Sequence, residues 1–285
     1  MKRITVYGLF LLFMGLCSTG LVLNIPKPVE KQVVLQTYSY SRTTNEPILP
    51  YHTKQEVIEY VTALPKVQLI DPEEYPKGGI SWLISLTDEG TPEVTYETYE
   101  MTYNAQGEMI SRMLVPYSTW VQESTPKTYS YGSTVKEGAY FKSRRATSYG
   151  ADCTGCGGED GISGTSAGIQ LGLNSVRQSD GTWKEGITYD GYYIIATDKA
   201  IPLCTVVEIS NHRWSGKGLV SGKPFKAIVL DRGGGITGSA IDLFTGSEKN
   251  SGVRNGTRYG VKIEIVSFGK RTRNSLGQRM CRVYD

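Results

Sequence analysis

The sequence predicts an all-β protein, and three observations carry that prediction. Its 285 residues include 33 glycines and 19 tyrosines, a composition that favours strands and turns, and they hold few long apolar stretches of helical period. From about Val67 to Tyr131 runs a long tyrosine- and threonine-rich alternation, as in Thr91-Pro-Glu-Val-Thr-Tyr-Glu-Thr-Tyr-Glu-Met-Thr-Tyr103, the period of half-exposed strands. Beyond residue 193, short apolar runs are separated by Gly and Pro with no paired helices between them, so a closed barrel is expected there in preference to a layered α/β domain. A chain of this length can hold one large domain or two moderate ones, each with a stable core.

At the amino terminus, Lys2-Arg3 precedes a largely apolar run from Ile4 to Leu16 and then Cys17-Ser-Thr-Gly20. Residues 1–23 therefore read as an export signal or, if uncleaved, a membrane anchor, and Leu16-Cys17 also allows a lipidated cysteine. Contact with the membrane is expected only through this segment. Residues 24–52, with Pro26, Pro28, Pro47 and Pro50 among polar residues, read as an extended spacer that needs no fold. Thr53 to Ala63 is expected to form a short helix, capped by Thr53 with Glu56 three positions later. Residues 53–133 then form an extended β module whose long hairpin turns at Asn104-Ala-Gln-Gly107. Residues 134–285 form the barrel.

Export would place the chain in an oxidising compartment, outside the cytoplasm, either secreted or held at the cell surface. There Cys153, Cys156, Cys204 and Cys281 form an even set that favours disulfides, with Cys153–Cys156 and Cys204–Cys281 the preferred pairing. The close spacing of Cys153 and Cys156 also suits half of a zinc site, although the other two cysteines supply no second close pair. Only two histidines, His52 and His212, are present, so a multi-histidine metal centre is excluded, and His212, in the polar stretch 211–218, is expected to be a solvated loop residue. No cofactor is expected. The glycine-rich stretch 161–172 lacks the Lys-Ser/Thr ending of a phosphate-binding loop, and Asp152 reads as loop structure. Net charge is +3, with an acidic middle and a basic last half. That basic half suits an anionic polymer of an exported setting, wall glycan with stem-peptide carboxylates or anionic wall polymers, and not nucleic acid.

The chemistry-bearing segment is Asp231-Arg-Gly-Gly-Gly-Ile-Thr-Gly-Ser-Ala-Ile-Asp242-Leu-Phe, directly after the apolar run Phe225–Leu230. A strand delivers Asp231 to an edge, and Gly233 and Gly234, lacking a Cβ, let a bulky substrate approach the backbone. Two carboxylates facing one cleft, one protonated and one ionised, are the minimum equipment for breaking a glycosidic bond. Arg232 favours the charged form of Asp231. Ile241, Leu243 and Phe244 disfavour charge on Asp242, which becomes the proton-holding acid. Asp198, just before an Ile-Pro turn, is expected to orient a neighbour by hydrogen bonding. Asp before Gly is also ordinary turn chemistry, and turn caps are the alternative.

Two stretches resemble known families. Val94-Thr-Tyr-Glu, Met101-Thr-Tyr-Asn-Ala-Gln-Gly-Glu-Met-Ile-Ser-Arg112 and Tyr129-Ser-Tyr-Gly-Ser133 resemble the end of a G-five domain, a small extended β module, over roughly residues 53–133. That resemblance implies adhesion to wall sugar or a stiff spacer. The ordered set Ala-Thr-Asp198, Ile201-Pro-Leu, Asp231-x-Gly-Gly and Ile241-Asp242-Leu-Phe resembles the three-Asp (3D) domain over about residues 140–268. The resemblance implies a six-stranded double-psi β-barrel and an exported cell-wall enzyme acting on peptidoglycan glycan strands as a lytic transglycosylase. Asp198, Asp231 and Asp242 are then its three aspartates, with Arg232, Gly233 and Gly234 at the substrate. A glycoside hydrolase with the same acid pair, or a wall-binding protein without catalysis, are the alternatives. Arg232 stands where that family commonly has a small hydroxyl residue, Ser239 where it has Asn, and residues 211–223 form an insertion.

Overall fold

The computed structural model describes residues 32–35, 51–154, 161–254 and 256–284, and the expected export or anchor segment 1–23 lies outside them. Every regular element among the described residues is a β-strand, and no helix there is long and apolar enough to cross a membrane. Contacts divide the chain into two compact units, the described residues of Met1–Leu64 with Pro92–Ser124, and those of Pro65–Thr91 with Thr125–Asp285. Strands are numbered along the chain.

The smaller unit is an antiparallel sheet of β1 (Gln32–Leu35), β2 (His52–Ala63), β5 (Glu93–Tyr103) and β6 (Met109–Leu114), with β7 (Trp120–Gln122) beside β6 on the same partner, β5. Most of its side chains stay half-exposed, and Ile58 and Met101 are its buried apolar positions. Cross-strand stacks supply what a second layer would otherwise provide: Tyr96 lies flat on Trp120 at 4.0 Å, and the Arg112 guanidinium sits 4.0 Å over the Tyr99 ring. Such pairs each contribute roughly 0.5–1 kcal/mol.

Two expectations are corrected here. Thr53 to Ala63 is not a helix but β2, paired with β5 from His52↔Tyr103 to Ala63↔Glu93. Thr53, Val57, Ile58, Val61 and Thr62 are β-branched, and a partner strand along nearly its whole length outweighs a local capping signal. The spacer 24–52 is not free of structure either, because Gln32–Leu35 pairs with Gln55–Ile58.

The larger unit holds the barrel. Tyr140–Lys142 (β9) and Arg145–Tyr149 (β10) are consecutive pieces of one bent run, followed by β16 (Tyr192–Thr197), β17 (Thr205–Ser210), β18 (Phe225–Asp231), β19 (Ala240–Phe244) and β20 (Lys262–Phe268). Their order is β10-β19-β16-β18-β17-β20-β9, so the run from 140 to 149 touches both ends of the series. Ala146 and Arg258 exchange backbone hydrogen bonds at 2.7 and 2.8 Å, and Ser143 N–H donates to Val261 O at 2.8 Å. These bonds close six strands on themselves. Only β10–β19 and β16–β18 are parallel within the ring.

Three more strands, β3 (Val67–Ile70), β4 (Ile84–Asp88) and β8 (Lys127–Tyr131), extend the sheet beyond β9. Leu83 is fully buried in the barrel's core cluster, and Trp82 meets Phe141 edge-on at 4.9 Å. The observed division therefore differs from the expected 133/134 boundary. Alternation marks the strands before residue 134, but it reads the same whether a strand joins one sheet or another. Between β10 and β16 lie β11 (Ile162–Gly164), β12 (Gln170–Gly172), β13 (Ser175–Arg177) and β14 (Trp183–Glu185), a small antiparallel sheet, and β15 (Thr188–Tyr189), which pairs with β16. The core contains Trp214, Tyr189, Phe141 and Phe244, all fully buried or nearly so.

The C-terminal hairpin of β21 (Lys270–Arg273) and β22 (Arg279–Arg282) is fastened to the barrel twice. Cys204 is bonded to Cys281 with their Cα atoms 5.4 Å apart, as the sequence pairing expected. Beside it, the Tyr189 hydroxyl donates to Cys281 O at 3.1 Å and accepts from Cys281 N–H at 3.0 Å. Cys153 is also in a disulfide, and the expected Cys153–Cys156 pairing lies outside the described residues. A bond spanning 77 residues restricts the unfolded chain strongly. Replacing Cys204 and Cys281 by Ala is expected to lower stability by about 4 kcal/mol, measured by denaturant unfolding against the oxidised parent. Equal midpoints would remove the bond from the list of stabilising contacts.

Candidate active site

Strand β16 is the only member of the ring flanked by both aspartate-bearing strands. It runs parallel to β18 and antiparallel to β19, and the register places Ala196 opposite Asp231 on one side and opposite Asp242 on the other. Thr147 of β10 is in turn opposite Asp242. Directly opposed residues point to the same face of a sheet, so Asp231, Ala196, Asp242 and Thr147 form one transverse row across four strands. Two strand spacings put the Asp231 and Asp242 backbones roughly 10 Å apart, with only a methyl group between them.

A bulge creates this row. Ile195 pairs with Val229, but Ala196 pairs with Asp231, leaving Leu230 as the extra residue on β18. Without that inserted residue Ala196 would face Leu230 and the Asp231 side chain would lie on the opposite face.

The two carboxylates meet different surroundings. Asp231 Oδ1 accepts three hydrogen bonds, from Ser166 N–H at 2.9 Å, Ser166 Oγ–H at 3.0 Å and Arg232 N–H at 2.8 Å. Asp242 Oδ1 accepts from the Thr147 hydroxyl at 2.8 Å. Burial is the main cause that pushes the Asp242 carboxyl up to about 6, with Glu248 and Asp231 adding repulsion, while the Thr147 bond and Arg145 oppose the rise. Glu248 is held near by Asp152, which accepts from Glu248 N–H at 2.6 Å and from the Ser247 hydroxyl at 2.7 Å. These two donors, that backbone N–H first, lower the Asp152 carboxyl.

Asp198 and Arg232 build the frame around the row. Asp198 Oδ1 accepts from Ala200 N–H at 2.8 Å and Oδ2 from Gly238 N–H at 2.7 Å. It thereby ties the end of β16 to the far side of the glycine loop and shares no hydrogen bond with Asp231 or Asp242. Gly238 has a φ of +57°, a conformation that favours glycine. The Arg232 guanidinium turns to backbone, donating to Asp231 O at 3.0 Å, Thr197 Oγ1 at 3.1 Å and Ile201 O. Its proximity to Asp231, inferred from adjacency, is thus a contact made mainly through main-chain atoms. Arg145 and Arg144 pin the loop from outside, Arg145 through Gly235 O at 2.9 Å and Arg144 through Thr237 Oγ1 at 2.9 Å. Inside the loop, Ile236 clusters with Ala196 and Ala240.

Gly233 and Gly234 are both exposed but differ in what they permit. A Cβ on Gly233 would come within 2.8 Å of Ile236, whereas one on Gly234 would meet nothing within 4 Å. The first glycine serves the loop's own packing and the second leaves space above it.

Thr147, Ser166 and Tyr149 escaped the sequence reading. Thr147 and Tyr149 lie in Ala146-Thr-Ser-Tyr-Gly150, a run legible as a strand, but only its parallel pairing to β19 shows which residues face Asp242. His212 is corrected outright. It is 2% exposed, donates through Nε2 to Lys223 O at 2.7 Å and packs against Trp214 and Phe225. The polar stretch around it folds back through a Gly216–Leu219 bridge, which seats the ring in the core. A separate cleft of about 390 Å³ on β4, β8, β9 and β20, lined by Tyr129, Tyr140, Lys262 and Glu264 among others, contains none of the row residues. The row is the better candidate on chemistry, because Lys262 and Glu264 are already paired at 2.6 Å. Among the described residues no cluster of ligands suits a metal ion.

Two outcomes follow from this geometry. Because the folded-state value of Asp242 lies above the ordinary 3.8, the fold favours its protonated form. That contribution is fully present below about pH 4 and is lost as pH rises through about 6. Asp242→Asn keeps an acceptor for Thr147 and carries no charge, so at pH 8 it should exceed the parent in stability by on the order of 2 kcal/mol. Denaturant unfolding at pH 4 and pH 8 measures this, and a gap that does not widen with pH contradicts the burial argument. For the glycines, Gly234→Ala should leave the melting temperature within about a degree, while Gly233→Ala lowers it by several, corresponding to about 1 kcal/mol or more of overpacking. Equal melting temperatures would contradict the distinction.

Residues 193–267 match the family model of the 3D domain, a span that includes Asp198, Asp231 and Asp242. A solved structure titled "Crystal structure of HP0197-G5" is similar to this chain at 22% identity with a TM-score of 0.18, over 29% of this chain and 97% of that one. No curated protein sequence matches the chain.

Proposed function

We propose that this chain is an exported cell-wall enzyme that cleaves the glycosidic bond between MurNAc and GlcNAc in peptidoglycan, as a lytic transglycosylase. The transverse row carries the reading: a carboxyl raised to about 6 by burial shares one face with a second carboxylate, across a single alanine methyl. The 3D-domain match agrees with it, since 3D domains are associated with lytic proteins of the cell wall. Peptidoglycan glycan strands are the partner this chemistry implies, and the basic last half of the chain suits their stem-peptide carboxylates and other anionic wall polymers.

In this reading Asp242 is the acid. It donates its proton to the bridging oxygen as the C1–O4 bond breaks, and Asp231 stabilises the oxocarbenium-like charge left on the sugar. The C6 hydroxyl of the same muramyl residue then bonds to C1, and its proton passes to Asp242, which regenerates the acid. No water is consumed. Asp198 and Arg232 act one step back, by holding the strand ends and the loop over which the glycan lies, and Gly234 supplies the open backbone.

Muropeptides released from purified sacculi and read by mass spectrometry test the outcome: anhydromuramyl ends are expected, reducing ends would indicate a hydrolase with the same acid pair, and no release would indicate a binding protein. Asp242→Asn should lower release by at least about 100-fold, the scale of a positioned proton transfer, and Asp231→Asn should impair turnover through lost charge stabilisation. The parent's kcat/KM should fall above about pH 6 with a single ionisation, because the acid must be protonated in the free enzyme. A folded Asp242→Asn variant with parental release would overturn the assignment.

A further inference from the structure

One rung further along the same face lies Tyr149. Thr147 and Tyr149 are two residues apart on β10, and Tyr149 is opposite Phe244 as Thr147 is opposite Asp242, so both point to the face of the carboxylate row. The side chain is 8% exposed and its ring rests against Phe244 at 5.5 Å. Its hydroxyl is buried and has no hydrogen-bond partner in the structure. A buried phenol without a partner forfeits roughly 1–3 kcal/mol, and a phenylalanine would fill the same space without that loss. The hydroxyl is nevertheless close enough to Asp231 and Asp242 that both raise its pKa well above the usual tyrosine value, behind burial as the main cause. It interacts more with Asp231 than with Asp242, and its weak hydroxyl contact with Asp231 adds to the rise without completing a hydrogen bond.

We propose that Tyr149 is a positioning residue for the carboxylate pair, a donor held in reserve for the moment when both carboxylates are ionised. This rests on the reading of Asp242 as the acid. Before the reaction the pair carries one proton, and the Tyr149 hydroxyl has no full charge to serve beyond Asp231, whose Oδ1 already accepts three bonds. Once Asp242 passes its proton to the departing oxygen, two negative charges face each other across Ala196 in a poorly solvated place. The buried O–H then rotates to donate to the pair. A hydrogen bond incomplete in the resting state and completed as charge develops lowers the barrier, whereas one made equally in both states would not. The hydroxyl keeps its own proton throughout, and no bond to it is broken.

Tyr149→Phe tests this in the full chain. The variant should fold with a melting temperature equal to or above the parent's, since only an unpartnered hydroxyl is removed. Its kcat for muropeptide release should fall about 10-fold or more with KM little changed. Losing the donor makes the doubly ionised pair harder to form, so the alkaline limb of the pH profile should move upward from about 6. Carboxyl NMR titration of Asp242 reads the same shift without activity. A Tyr149→Phe variant with parental kcat and an unmoved Asp242 titration overturns the proposal, as does one that loses stability while activity per folded molecule persists. If the parent releases no muropeptides, the proposed function fails by itself, and the NMR titration alone decides: an upward shift in the variant keeps the donor role, and no shift ends it.

Discussion

The register of β16 against its two neighbours is the constraint on which the site depends. Parallel pairing with β18 and antiparallel pairing with β19 bring two segments of the chain to opposite sides of Ala196, and the bulge at Leu230 decides which side chains share its face. Strand pairing repeats every two residues, so a slip of one position on either side would separate Asp231 from Asp242 as completely as deleting one of them. The apolar residues that hold the register, Ile194, Ile195, Ile228, Val229 and Leu243, are fully buried. Core packing therefore enforces the alignment of polar groups that make no hydrogen bond with each other.

From that alignment the difference between the carboxylates follows. Asp231 ends its strand, where Ser166 and the backbone of Arg232 can converge on one oxygen. Asp242 lies in the middle of β19, between β16 and β10, where strands on both sides keep water away and Thr147 supplies a single donor. Position along a strand thus gives identical side chains different surroundings, and burial raises the Asp242 carboxyl to about 6. Asp198, Arg144 and Arg145 contribute by fixing the loop between the two strands, so that their charges act on its geometry as much as on its field.

The smaller unit follows a different stability logic. With little buried apolar surface, its sheet relies on long pairing between β2 and β5 and on stacked aromatic and cation–π contacts. The same thinness explains why its sequence alternates so plainly and why alternation says so little about which sheet a neighbouring strand joins. β8 shares the threonine- and tyrosine-rich character of that region but, with β3 and β4, pairs toward β9.

Much was legible in the sequence for reasons that are local. Glycine content, period-two alternation and short apolar runs specify strands and turns residue by residue, and the apolar neighbours of Asp242 already implied a disfavoured charge. The Cys204–Cys281 bond was also within reach, because an even cysteine set limits the choices. The helix expected at Thr53–Ala63 failed because a capping signal is worth about 1 kcal/mol and a full-length partner strand is worth more. The solvated role expected of His212 failed because polar neighbours in sequence do not reveal a bridge that folds them back. Thr147 and Ser166 were invisible as partners, since they lie 95 and 65 positions from the carboxylates they bond and nothing in a strand's own composition names its partner. The sequence alone determined which residues could carry charge and which would form strands. Only the tertiary structure, through register, bulge and burial, decided which of those charges face one another, because those three depend on contacts between segments far apart in the chain.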